Sequence, residues 1–363
     1  MTIFDTTKTF EEYAEKKLFL NSKKGLLNTI HKYYPKIWSL YKEIKSLDWS
    51  EDEFNYRQCQ TDFATADKNI SSIMIDTLAW QWEADSVAAT CPVYMIAPFN
   101  PCVEVWETEC AIMVNELVHA NTYSEIVRLS FNNPDEILKE ILNKQESFKR
   151  LDTISEFLEK FGEFSRQYAR GTEFQEDEVV RELILYYFAM LLLERVQFMA
   201  SFAITFTICK SGLFGAIGSA VKKIAQDELE VHCEYRKEIL KELKLAYPSV
   251  YASCLGTFAD WTREVIETEL AWTKQLFAGR ELVGTNEEFI SKWVLFNAKD
   301  VVKFAGITDL MDQKYVWPVK NPIPHLEEWF NMNMTQVANQ EQDATNYKVN
   351  IMMRTDEDIQ FDF

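Results

Sequence analysis

A chain of 363 residues, 47% hydrophobic and 26% charged, is ordinary globular material with length for one large core. Its formal charge of -19 leaves no basic footprint to neutralise phosphates, which argues against nucleic acid or an anionic membrane surface as a partner. Seven scattered cysteines without a C-x-x-C pair fit reduced thiols in a cytoplasm better than a disulfide framework or a zinc site.

The opening residues, Met1 to Asp5, lack the basic start and apolar run of a signal peptide. Only 10 glycines and 9 prolines leave little punctuation for hairpins, and alternating strand patterns are nearly absent, so the predicted fold is all-α. In chain order, residues 8–45 read as irregular helix. Ser50 with Glu53 forms a capping box that predicts a helix over 52–65. A helix rich in Ile, Met, Ala and Trp runs from Asp67 to Thr90, and Cys91-Pro92 is expected to stop it. Pro101 opens a long helix to about Ser130, and Asn132–Asp135 breaks the chain. Shorter helices are expected over 135–147 and 151–169.

The next helix, 176–210, is the most apolar, and Leu183–Cys209 is long enough to span a bilayer. Glu194, Arg195 and Gln197 at its centre favour instead a buried helix of a soluble core. Buried Glu194 needs a partner, and adjacent Arg195 is the simplest one. The glycines at 212, 215 and 218 follow a helix and not a strand, so they do not form a dinucleotide loop. Helices over about 215–245, 249–279 and 286–304 complete the body. From Asn331 the chain turns polar, which divides it into a helical domain, 1–330, and a flexible tail, 331–363.

Three residues of the Pro101–Ser130 helix carry chemistry. Glu116, His119 and Tyr123 advance by three and then four positions and share one face. A Glu and a His at i, i+3 form the half-site of di-iron and di-manganese carboxylate bundles, and the tyrosine one turn on is oxidisable. A second half-site must come from the other three histidines. His31 and His325 lack a Glu at ligand spacing, whereas His232 follows Glu228 at i, i+4. Glu194 offers a lone carboxylate, and Glu83 or Asp85 offers another.

The pattern resembles the small, radical-generating (β) subunit of class I ribonucleotide reductase, in the ferritin-like superfamily. The resemblance rests on Asn115-Glu116-Leu117-Val118-His119-Ala120-Asn121-Thr122-Tyr123, on Asp85-Ser86, on Glu194 with Phe198 and Phe202, and on Ala225-Gln226-Asp227-Glu228. Asn321-Pro322-Ile323-Pro324 with Trp329, and Val337-Ala338-Asn339-Gln340-Glu341, extend it to the tail. It implies a ferritin-like di-metal carboxylate bundle with additional helices, in which Asp85, Glu116, His119, Glu194, Glu228 and His232 bind two metal ions. Iron is the expected metal, with manganese or a mixed pair also compatible. It further implies that oxygen oxidises Tyr123 to a radical shielded by Phe198, Phe202 and Ile224. His119, Asp227 and Trp49 would carry the radical outward, and Tyr347 would relay it to a large subunit that reduces ribonucleotides for DNA replication. A homodimer in the cytoplasm, docked to the large subunit through its C-terminal tail, completes the expectation. The runner-up is a ferritin-like oxidase or monooxygenase with its own substrate.

One departure stands out. The family pattern is E-x-x-H in both half-sites, but here Glu228 and His232 are four apart. A single π-type turn would absorb the extra residue, since such turns cluster at functional sites. Glu230 as ligand is the alternative, though i, i+2 points it away from His232.

Overall fold

The computed structural model describes residues 9, 17–21, 26, 27, 30–143 and 150–330. Helix α1 (Pro35–Ser46) starts on a proline, whose missing amide costs nothing in the first turn. Ser50 and Glu53 do form a capping box, but around a single 3-10 turn, Glu51–Glu53, and not a long helix. Phe54 then goes extended, and a second 3-10 turn (Tyr56–Gln58) leads into α2 (Cys59–Thr65). The expected 52–65 helix is thus two 3-10 turns and a short helix.

Helix α3 (Lys68–Ala88) begins under an Asp67 cap. Cys91-Pro92 ends it by starting another helix, α4 (Cys91–Ile96), with the proline in its first turn. Then come α5 (Val103–Ser130), α6 (Pro134–Leu142) and α7 (Asp152–Ala169). The apolar helix is α8 (Glu176–Leu192), a π turn (Leu193–Gln197) and α9 (Phe198–Lys210). After it, α10 (Gly215–Gln226) passes through a second π turn (Asp227–His232) into α11 (Cys233–Ala246). Helices α12 (Pro248–Leu276), α13 (Glu287–Ala305) and the short α14 (Glu327–Phe330) follow. Among the described residues there is no strand, only an isolated bridge between Leu282 and Thr285.

Helix α3 packs on α5 and α9, α8 packs on α11 and α12, and the two π turns touch each other. Four helical rods (α3, α5, α8–α9 and α10–α11) therefore enclose one interior. The α8–α9 rod is apolar on every face because every face is covered: 94% of its most apolar stretch is buried. It is the central core helix and not a membrane span. Gly218 lets α10 approach α9, since a Cβ there would lie 2.8 Å from Cys209 Sγ. The glycines after Lys210 thus turn the chain back and tighten the packing of two helices.

Candidate metal centre

The four rods bring all six expected ligands into that interior. Asp85 on α3, Glu116 and His119 on α5, Glu194 in the first π turn, and Glu228 and His232 in the second are all fully buried. They fall into two overlapping sets, Asp85/Glu116/His119/Glu228 and Glu116/Glu194/Glu228/His232, each with ligand atoms within 4.8 Å of one another. Glu116 and Glu228 belong to both. Glu116 Oε2 lies 3.3 Å from His119 Nδ1, and its Oε1 lies 3.3 Å from His232 Nδ1. Glu228 repeats the arrangement, with Oε1 3.3 Å from His119 Nδ1 and Oε2 3.4 Å from His232 Nδ1. Each carboxylate presents one oxygen to each imidazole, as a bridge between two ions requires.

The orphaned atoms test the fit. Both oxygens of Asp85, Glu116 and Glu228, Oε2 of Glu194, Nδ1 of His119 and both nitrogens of His232 are buried without a hydrogen bond. Buried polar groups are rarely left so, and a cluster of oxygen and imidazole donors facing one another fits two divalent cations. The electrostatics agree. Burial alone would push the His232 pKa down, but Glu228 and Glu116 reverse this and raise it to about 10. Burial likewise opposes the ionised form of Glu116, yet the adjacent imidazoles of His119 and His232 bring its pKa to about 2. Asp85 is raised well above the usual carboxylate range by burial and by the neighbouring charge of Glu116. The site attracts positive charge.

The Glu228–His232 half-site is indeed spanned by a π turn, which keeps both side chains pointing inward despite the extra residue. Glu230 turns away and accepts from Gln226 Nε2 at 3.2 Å. Asp85, not half-buried Glu83, is the carboxylate that reaches the site. Arg195 is not the partner of Glu194. It faces Asn297 and Asp300, while Arg236 donates from Nε to Glu194 Oε1 at 3.1 Å. The π turn rotates Glu194 inward and Arg195 outward, so neighbours in sequence point to opposite sides.

Tyr123 is completely buried, and its hydroxyl faces Asp85 without a hydrogen bond of good geometry. Burial, reinforced by the Asp85 charge, pushes its pKa well above the ordinary value. Phe198, Phe202 and Ile224 are fully buried in the same core, where the Phe198 and Phe202 rings stack at 5.4 Å. From the opposite side of His119 a polar chain leads away. His119 Nε2 lies 3.1 Å from Asp227 Oδ2, and Trp49 Nε1 donates to that oxygen at 2.8 Å. The Trp49 and His119 rings stack at 6.0 Å. Tyr347 and the tail motif at 337–341 lie outside the described residues.

Sequence reasoning assigned no role to Asn115, whose Nδ2 donates to Asp227 Oδ2 at 3.0 Å. It also missed Arg236, Glu109, Tyr187 and Tyr235. Spacing offered a signal: Glu109 and Tyr187 each lie seven residues, two helical turns, before a ligand, and Arg236 lies four after His232.

The model of the family described as ribonucleotide reductase, small chain, matches residues 27–314. The chain belongs to this family. It is 23% identical over 334 residues to the ribonucleoside-diphosphate reductase subunit beta of Haemophilus influenzae, covering 87% of both chains. In fold it is similar to the ribonucleotide reductase R2 subunit from Clostridium botulinum, with a TM-score of 0.75, 18% identity, and coverage of 91% of this chain and 98% of that one. The dimanganese(II)-NrdF of Streptococcus sanguinis superposes with a TM-score of 0.66 at 16% identity, covering 84% and 98%. The chain is thus a small subunit of class I ribonucleotide reductase, an oxidoreductase component that acts with a large subunit, and its carboxylate–histidine cluster is a site for two metal ions.

Proposed function

We propose that Asp85, Glu116, His119, Glu194, Glu228 and His232 hold the two ions, that Tyr123 is the residue oxidised, and that His119, Asp227 and Trp49 form the exit path. The observation carrying this is the sharing of Glu116 and Glu228 between both imidazoles beside a buried tyrosine. When bound, the ions supply, with O2, the oxidising equivalent. Tyr123 loses an electron and its phenolic proton, and Asp85 is the carboxylate facing it to take that proton. The buried setting then keeps water and reductants from the oxidised ring.

Outward transfer draws on the shared oxygen of Asp227. With an ion bound, His119 would present Nδ1 to it and keep its proton on Nε2, which would donate to Asp227. Oxidation of Trp49 makes its indole N–H strongly acidic, and Asp227 Oδ2, already hydrogen-bonded to it, is the base in place. A self-contained oxidase has no use for such an exit, which weighs against the monooxygenase alternative. In this reading residues 1–330 form the metal-bearing domain, and 331–363 form a tail that carries Tyr347 and docks on the large subunit. We assign iron, with manganese compatible with the same donors, as the dimanganese(II) neighbour illustrates. A cytoplasmic homodimer is the working assembly.

The test is anaerobic loading with iron(II), exposure to oxygen, and electron paramagnetic resonance with parallel metal analysis. The expected result is two metals per chain and an organic radical signal absent from Tyr123→Phe. A radical of unchanged line shape in that variant would overturn the assignment of Tyr123.

A further inference from the structure

Behind Glu194 lies a cluster of charges with no part in the reading above. Arg236 is fully buried and places two nitrogens on one oxygen of Glu194: Nε donates to Oε1 at 3.1 Å, and Nη2 lies 3.1 Å from it. Its remaining nitrogen, Nη1, donates to Glu109 at 3.2 Å from Oε1 and 3.4 Å from Oε2. Glu109 Oε1 also accepts from the hydroxyls of Tyr187 at 2.7 Å and Tyr235 at 2.8 Å. Glu109, Tyr187 and Tyr235 are themselves buried, so this carboxylate is held by three buried residues.

Glu194 is thereby divided. Its Oε1 belongs to Arg236, and only Oε2, buried and without a partner, is left for an ion. The other ligand carboxylates differ: those of Glu116 and Glu228 meet only the ligand imidazoles, and neither oxygen of Asp85, Glu116 or Glu228 makes a hydrogen bond of good geometry. Swinging Oε1 onto an ion would break a charge-assisted hydrogen bond in a dry interior, where such bonds are strong and an unpaired guanidinium is costly. Glu109 offsets the charge of Arg236 and fixes the plane of its guanidinium. Arg236 also stands one turn after His232, so the two ligands of one end of the site are held through a single helix.

We propose that Arg236, seated by Glu109, Tyr187 and Tyr235, is a positioning residue that restricts Glu194 to single-oxygen ligation at the His232 end of the centre. This rests on the di-metal reading. It makes the two ends unequal: the Asp85–His119 end has a free carboxylate, and the Glu194–His232 end a clamped one. Groups that orient metal ligands typically alter affinity by about 10–100-fold when removed.

The test compares wild type with Arg236→Lys and with the pair Arg236→Gln/Glu109→Gln, which keeps the net charge of the cluster and an acceptor for both tyrosines. Each is titrated anaerobically with manganese(II), read by electron paramagnetic resonance of the unbound ion. Crystals soaked in manganese(II) then report anomalous occupancy at each end and the ligation of Glu194. The expected result for the pair is an apo melting temperature near that of wild type and a roughly 10–100-fold weaker His232 end. The Asp85–His119 end should be unchanged, and Glu194 should chelate through both oxygens, with Arg236→Lys intermediate. Unchanged affinity with Glu194 still bound through one oxygen would overturn the proposal. So would equal weakening of both ends, which marks a purely structural role. If wild type itself fails to bind two manganese ions, the di-metal reading fails first.

Discussion

Replacing Tyr123 by Phe should stabilise the metal-free protein while abolishing its radical. The ring fits a fully enclosed space, and Phe keeps every carbon of it. What the substitution removes is a buried hydroxyl that makes no hydrogen bond of good geometry and meets only the facing Asp85 carboxyl. In the unfolded chain that hydroxyl is hydrated, so folding loses its water contacts and gains only a poorly aligned approach to Asp85 in return. A buried unsatisfied polar group costs roughly 1–3 kcal/mol, and removing it should return about that much. For a chain of this size the melting temperature should rise by roughly 2–5 °C. The assay is denaturant unfolding of metal-free wild type and Tyr123→Phe, compared at equal slope, with electron paramagnetic resonance of the iron-loaded forms. Destabilisation by Phe would show that the hydroxyl has a partner in the folded protein and would refute the argument. Most Tyr→Phe changes at buried, hydrogen-bonded positions go the other way, so the sign is diagnostic.

Other consequences follow from the same geometry. Asp227→Asn turns three charge-assisted hydrogen bonds, from Trp49, Asn115 and His119, into neutral ones, at about 1 kcal/mol each. It should form the Tyr123 radical normally yet lose about 100-fold or more in turnover with the large subunit, and normal turnover would remove Asp227 from the path. Deleting Glu230 should convert the Asp227–His232 π turn into regular helix and restore a three-residue spacing. Two metals per chain should survive by metal analysis, and their loss would show that the π geometry is required. Removing the last ~20 residues should spare metal content and radical but abolish binding to the large subunit, measurable by sedimentation. Finally, the His232 pKa is raised to about 10 from 6.5 in the metal-free protein, so its contribution to stability is complete below pH 6.5 and lost as pH rises towards 10. Metal-free protein should weaken over that window in denaturant titrations, and the metal-loaded form should not.

Much of this was legible along the chain because helices convert spacing into facing. Glu116, His119 and Tyr123 declare a shared face by their numbering alone. Scarcity also helped, since four histidines left only one candidate for the second half-site. Even the π turn at 227–232 could be inferred, because one residue too many between two inward-facing ligands must be absorbed somewhere.

Tertiary structure alone decided which charges meet. Arg195 stands next to Glu194 in sequence, yet an unforeseen π turn rotates it towards Asp300 and leaves Glu194 to Arg236, 42 residues away. Spacing left Glu83 and Asp85 open in one apolar helix, and the resemblance singled out Asp85; which of them reaches the site depends on which side of α3 faces α5 and α9. The resemblance alone linked Trp49 to Asp227, 178 residues on; the contact itself comes from packing α1 and its capped 3-10 turn against α5. Local rules act through backbone geometry over a few turns. Partner choice for a buried charge is set by desolvation, which depends on what the whole fold packs around it.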